Sequence, residues 1–118
     1  MGEQSSLPPQ LQEQLLRLQQ LQQTLEAVVS QKQQLELERS EIDSALAELE
    51  KMVDDAVIYK SVGSLLVKSE KKKTIDELRE RKELTETRIT VLTRQQTRAE
   101  ERAKELQQII QDKIKSPS

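Results

Sequence analysis

Cysteine, histidine, tryptophan and phenylalanine are all missing from this sequence. Without cysteine or histidine there is no thiolate or imidazole to hold a transition metal, no Cys or His nucleophile and no disulfide. A chain free of cysteine fits a reducing compartment. Tyr59 is the single aromatic residue. Close-packed globular cores draw on aromatic side chains that each bury about 150 to 250 Å², so an elongated structure is expected in place of a compact one. A net field is lacking too, since 19 Lys and Arg stand against 21 Asp and Glu. Such a balance draws in neither nucleic acid nor an anionic membrane, and one tyrosine supplies no stacking platform for single strands. There is no run of about eighteen apolar residues to span a bilayer. Nor is there a phosphate loop, a Gly-rich fingerprint or a catalytic triad. These absences argue against an enzyme, a metal site or a cofactor.

The opening residues MGEQSSLPPQ carry no basic stretch followed by an apolar core, so no secretory signal is expected. Met1, Gly2 and Ser6 fit the loose myristoylation pattern MGxxx[ST], although a plain start explains them as well.

What the chain has is one stretch that reads as β-strand, DDAVIYKSVGSLLVKSEKKK, from Asp54 to Lys73. Val57, Ile58 and Tyr59, then Leu65, Leu66 and Val67, form two short apolar runs separated by Lys60, Ser61, Val62, Gly63 and Ser64, which predicts a hairpin. Gly63 is the natural place for a positive φ, flanked by the turn formers Ser61 and Ser64. Side chains alternate across a strand, so both faces of the hairpin carry apolar residues. A lone hairpin is marginal in water, and its unpaired edges are a template for association. It is therefore expected to pair with hairpins of other chains.

Helices are expected on either side. Pro8 and Pro9 suit a helix start, and the first helix is predicted over residues 9–54 after a disordered stretch at 1–8. Leu21, Leu25, Val28, Leu35, Ile42, Leu46, Leu49 and Val53 recur at alternating steps of four and three, with Lys32 and Arg39 filling the vacancies, which is a heptad seam. Leu11, Leu15 and Leu18 come before it with an extra step of three, which predicts a stammer. The hairpin is assigned to 55–69 and the second helix to 74–115, opened by a Thr74/Glu77 capping pair and followed by a tail at 116–118. Its seam reads Ile75, Leu78, Lys82, Thr85, Ile89, Leu92, Gln96, Ala99, Ala103, Leu106 and Ile110.

The expected fold is mainly α: a long antiparallel two-helix coiled coil joined by one β-hairpin that pairs with hairpins of other chains. Folding about Gly63 brings Leu25 and Val28 level with Ala99 and Ala103, and Lys32 close to Gln96. At the far ends Leu15 and Ile110 are expected to point inward. Leu16 and Ile109 then face water, with Leu7 and Ile114 nearby. That surplus apolar surface suits loose, multivalent capture of apolar polypeptide.

Two charged features bear on chemistry. Asp54 and Asp55 pair two carboxylates near a turn, but a solvated helix end accounts for them, because no third ligand is close in sequence. Lys68, Lys71, Lys72 and Lys73 form a basic cluster that a solvated loop also explains. The Gln-rich stretch from Leu18 to Gln34 carries heptad leucines throughout and reads as helix.

The pattern resembles a known family on Leu7, Pro8, Pro9 and Gln10, on Val28, Val29, Gln31, Lys32 and Gln33, and above all on Val57-Ile58-Tyr59-Lys60, Val62-Gly63 and Leu65-Leu66-Val67-Lys68. On these residues the chain is similar to prefoldin, specifically its beta-class subunit of archaeal type. The resemblance runs from about Leu7 to Lys115, and the single hairpin distinguishes this class from alpha-class subunits, which carry two. It implies an ATP-independent molecular chaperone of the cytoplasm that holds non-native clients and passes them to a group II chaperonin. It further implies a hetero-hexamer with an alpha-class prefoldin subunit and further beta-class copies, built on a double β-barrel platform, with no nucleic acid and no membrane among its partners. Carried onto this chain, assembly falls on Val57, Ile58, Tyr59, Val62, Gly63, Leu65, Leu66 and Val67. Client contact falls on Leu11, Leu15, Leu16, Ile109, Ile110 and Ile114. Two rival readings are a structural or tethering coiled-coil oligomer with no chaperone role, and a coiled coil gripping nucleic acid through Lys71 to Lys73.

Overall fold

The structure, a computed structural model, describes residues 7–115. The myristoylation pattern, most of the expected disordered start and the tail at 116–118 lie outside the described residues. Within them the order is α1 (Pro9–Lys51), β1 (Ile58–Val62), β2 (Leu65–Ser69) and α2 (Lys71–Lys115).

Proline at the first helical position opens α1: the Pro8 carbonyl accepts the Gln12 N–H at 3.1 Å. The Gln12 side-chain amide reaches back to the Leu7 carbonyl, also at 3.1 Å. The helix ends at Lys51, short of the expected Asp54. Its last turn tightens as the Met52 N–H bonds the Leu49 carbonyl, and Val53 is left exposed outside the seam. Two carboxylates, Asp54 and Asp55, would be unfavourable at the negative end of a helix dipole, and the helix stops before them.

The second helix begins one turn earlier than the Thr74/Glu77 pair suggests. The Thr74 N–H already bonds the Glu70 carbonyl at 3.0 Å, and its hydroxyl donates to the same oxygen at 2.8 Å. Thr74 is thus inside the first turn and no capping box forms. Glu77 instead accepts from Lys60 at 3.1 Å.

The hairpin strands zip further than the two apolar runs alone predict. Pairing runs from Ile58 opposite Ser69 to Val62 opposite Leu65, which leaves a two-residue turn of Gly63 and Ser64. Gly63 has φ of 59° and no other residue has a positive φ among those described. Positive φ at the first turn position alone is the signature of a type II′ turn, whose twist matches the strands it joins.

The chain divides into two compact units, one spanning Gln33–Thr90 and the other made of residues up to Lys32 together with those from Val91 onward. Inside the first, Ile42, Leu46, Leu49, Thr85 and Ile89 are buried along the helix–helix seam. Arg81 bonds Glu38 at 2.8 Å and Arg79 meets Glu50 at 3.5 Å on its flanks.

Inside the second unit, Leu11, Val28, Ala99, Ala103, Leu106 and Ile110 are buried. The pairing is antiparallel: Lys113 reaches Gln10 and Lys32 reaches Gln96, each at 3.4 Å. The stammer is corrected here. Leu15 is 40% exposed while Gln14 is half-buried. Leu11, Gln14, Leu18, Leu21, Leu25 and Val28 therefore follow one heptad without a break. Keeping a single register costs one polar seam residue, which is less disruptive than overwinding the supercoil.

Candidate functional site

Residues opposite one another across a hairpin share a face. The register puts Ile58, Val62, Leu65 and Val67 on one face together with Lys60. Tyr59 and Leu66 lie on the other, with Ser61 and Lys68. Strand alternation adds Val57 to that second face. Of these apolar side chains only Ile58 is partly covered. Val57, Tyr59, Val62, Leu65, Leu66 and Val67 are all exposed, Leu66 to 72%. Two apolar faces on one two-stranded sheet cannot both be solvated without cost, at about 25 cal/mol for each Å² left in water. Their chemistry is that of an association surface.

A second apolar surface lies at the helix ends in the other unit. Leu7, Leu15, Leu16, Ile109 and Ile114 are exposed, Leu16 to 54%. Leu11 and Ile110, expected in the same group, are instead buried at 5% and 6%. They form the floor from which the others project. Heptad position relates two of the exposed residues: Leu15 and Ile114 both take the position occupied in the other unit by Glu50 and Arg79, whose side chains meet. In an antiparallel pair these flanking positions adjoin one another, so Leu15 and Ile114 make one apolar flank.

The charged features have structural partners. Lys71 donates to the Met52 carbonyl at 2.7 Å and contacts Asp54 at 3.4 Å. Asp54 and Asp55 find no third ligand: no group of three or more His, Cys, Asp or Glu able to hold a metal occurs among the described residues. No helix among them is long and apolar enough to cross a membrane. In the seam, Lys82 lies 2.6 Å from Asp43 and 4.0 Å from Glu86. The hydrogen bond to Asp43 and that carboxylate's charge hold the Lys82 ammonium above the ordinary lysine pKa, against partial desolvation and the nearby Arg39.

Sequence reasoning missed Gln14, the bond from Lys71 to the Met52 carbonyl and the Lys60–Glu77 pair. Strict counting of the heptad back from Leu18 would have found Gln14. Lys71, Lys72 and Lys73 carried another signal, since three cations opening a helix run against its dipole.

A family model described as "Prefoldin subunit" matches residues 12–116. The prefoldin subunit beta of Pyrococcus furiosus is 44% identical over 113 residues, covering 96% of this chain and 97% of that protein. That of Methanosarcina acetivorans is 43% identical over 110 residues, 93% of this chain and 94% of its own length. The crystal structure of the prefoldin beta subunit from Thermococcus strain KS-1 is similar with a TM-score of 0.83 at 46% identity, covering 91% of this chain and 94% of that one. The prefoldin beta2 subunit of the same strain shares the fold, with a TM-score of 0.70 at 22% identity over 77% of this chain and 97% of that one.

Proposed function

This chain belongs to the prefoldin family, a family of chaperones and not of enzymes, and from that premise we propose that it is an ATP-independent holdase subunit. Through its hairpin it joins an alpha-class subunit and further copies of itself in a cytoplasmic hetero-hexamer, the hairpins closing into an intersubunit β-barrel. The assembly residues are Val57, Ile58, Tyr59, Val62, Gly63, Leu65, Leu66 and Val67. At the helix ends it captures non-native polypeptide and releases it to a group II chaperonin.

The observation that carries this reading is that most exposed apolar side chains gather in two groups, one on the hairpin and one at the helix ends, while Leu37, Leu84 and Val91 stand singly along the helices. One surface suffices for an oligomer; a second, away from the hairpin in sequence, needs another ligand. Client contact falls on Leu15, Leu16, Ile109 and Ile114, with Leu11 and Ile110 beneath them. Each such side chain contributes about 1.5 to 3 kcal/mol when fully buried, so a client is held by several weak contacts at once.

The test replaces Leu16, Ile109 and Ile114 by Ser in the reconstituted complex. Suppression of aggregation of a chemically denatured protein should fall while the hexamer persists by native mass spectrometry. Unchanged suppression by an intact hexamer would leave a tethering oligomer as the better account.

A further inference from the structure

The hairpin is fastened to the helices by polar ties. Its apolar side chains point into solvent, with only Ala56 and Ile58 partly covered at its base, so packing does little to fix its tilt. Three contacts do. Lys60 on β1 pairs with Glu77 on α2 at 3.1 Å. Ser69, the last residue of β2, shares a hydrogen bond with Thr74 at 3.0 Å. Lys71 closes the set by donating to the Met52 carbonyl at 2.7 Å.

Lys71 is the informative member. No acidic residue lies in the first turn of α2, where an acid would suit the dipole and three lysines do not. Its ammonium is useful to the other helix. No glycine follows α1, and no positive φ occurs near its end, so the usual left-handed cap that satisfies terminal carbonyls is not available. The Lys71 side chain, only 14% exposed, lies at that end, takes up the Met52 carbonyl and places a cation at the negative end of the α1 dipole. One side chain thus joins the end of α1 to the start of α2 beneath the hairpin. A residue that breaks the local rule for its own helix and serves another element is a sign of a constraint beyond local stability.

We propose that Lys71 and Glu77 are positioning residues that set the angle at which the hairpin is presented to neighbouring subunits. The inference rests on the hairpin being the assembly element. Exposed ion pairs contribute little to the stability of a single chain. In a closed assembly the same ties act in every copy, because a hairpin held at the docking angle loses less freedom on association. A penalty of about threefold per copy, on the scale of immobilising one flexible side chain, is multiplied over every copy in the assembly.

The experiment combines the full-length chain with its alpha-class subunit and follows the hexamer by native mass spectrometry across a dilution series. Lys71→Met keeps the stem and deletes the ammonium; Glu77→Lys opposes Lys60. Each should raise the concentration at which half the hexamer dissociates by about two- to threefold, because the penalty summed over the copies is spread over a many-body equilibrium, with the helical circular dichroism signal unchanged. Lys71→Arg should behave as wild type, and Lys60→Glu combined with Glu77→Lys should restore assembly. Dissociation of Lys71→Met and Glu77→Lys at the wild-type concentration overturns the inference. So does a loss of helix in step with loss of hexamer. Leu66→Ser separates this from the underlying reading. If it weakens the hexamer while the charge variants do not, only the positioning role falls; if it too leaves the hexamer intact, the hairpin is not the assembly element.

Discussion

Gln14 and Leu15 exchange the places that hydrophobicity alone assigns them. The amide lies along the seam with its carbonyl oxygen buried and unpartnered, while the adjacent leucine is largely in solvent. A buried acceptor without a donor costs about 1 to 3 kcal/mol. Gln14→Leu removes that acceptor and fills a seam position with an apolar side chain, so it should raise the stability of the chain by an amount in that range, read from the urea midpoint. Leu15→Ser in the same assay should move it by much less. A destabilised Gln14→Leu chain would mean that the seam does not run through this position.

The seam itself predicts a contrast between two leucines of α2. Leu106 is 2% exposed whereas Leu84 is mostly in solvent. Truncating a buried leucine removes its transfer energy and leaves a cavity, at about 2 to 5 kcal/mol; truncating an exposed one in a helix costs within about 0.5 kcal/mol. Leu106→Ala and Leu84→Ala, compared by urea unfolding, should differ accordingly. Similar losses at both sites would argue that α2 buries a different face.

Most of this was legible in the residues. In α2 every expected seam position from Ile75 to Ile110 is buried or partly buried, because one heptad runs the length of the helix with no competing apolar stripe. In α1 the seam passes through Gln14 near the start, and hydrophobicity favoured the adjacent Leu15. The hairpin turn was legible at Gly63, since only a residue without a Cβ takes that conformation cheaply. The strand ends were not, because Lys60 and Ser61 interrupt the apolar run ahead of Val62 and their pairing follows from the turn closing on two residues. Helix ends were displaced for similar reasons. Capping at Thr74 is a local pattern, and the Ser69 hydroxyl and Glu70 carbonyl outbid it. Among the candidate surface residues, those of the hairpin are exposed apart from Ile58; the heptad already placed Ile110 inward, whereas Leu11 was grouped with the exposed helix-end residues on apolar character alone.

The turn makes a sharp test of the hairpin. A Cβ at Gly63 would meet nothing within 4 Å, so substitution there is opposed by backbone conformation and not by crowding. For an L-residue that conformation costs about 1 to 2 kcal/mol, a large penalty for a two-stranded hairpin that is marginal by itself. Gly63→Val should therefore lower the fraction of hexamer in a mixture with the alpha-class subunit while the helical signal by circular dichroism stays near wild type. Helix loss ahead of hexamer loss would show that the hairpin is not the element on which assembly depends.

A pH effect follows from the seam lysine. In the folded chain the Lys82 pKa lies above its ordinary value, chiefly through the hydrogen bond and charge of Asp43, with a smaller contribution from Glu86 and opposition from Arg39. A raised pKa means that the folded state binds the proton more tightly than the unfolded state. The resulting stabilisation is complete below the unfolded lysine pKa of about 10.4 and is lost as pH rises through the higher folded value. Asp43→Asn deletes the main cause. Its stability deficit relative to wild type should be constant from about pH 7 to 9.5 and shrink as the solution passes the folded pKa, because both chains then carry neutral Lys82. Because the pair is substantially exposed the deficit will be small, and its pH dependence, measured by thermal unfolding of the two chains in parallel, carries the test. A deficit that stayed constant above the lysine range would place the stabilising role of Asp43 elsewhere than on Lys82.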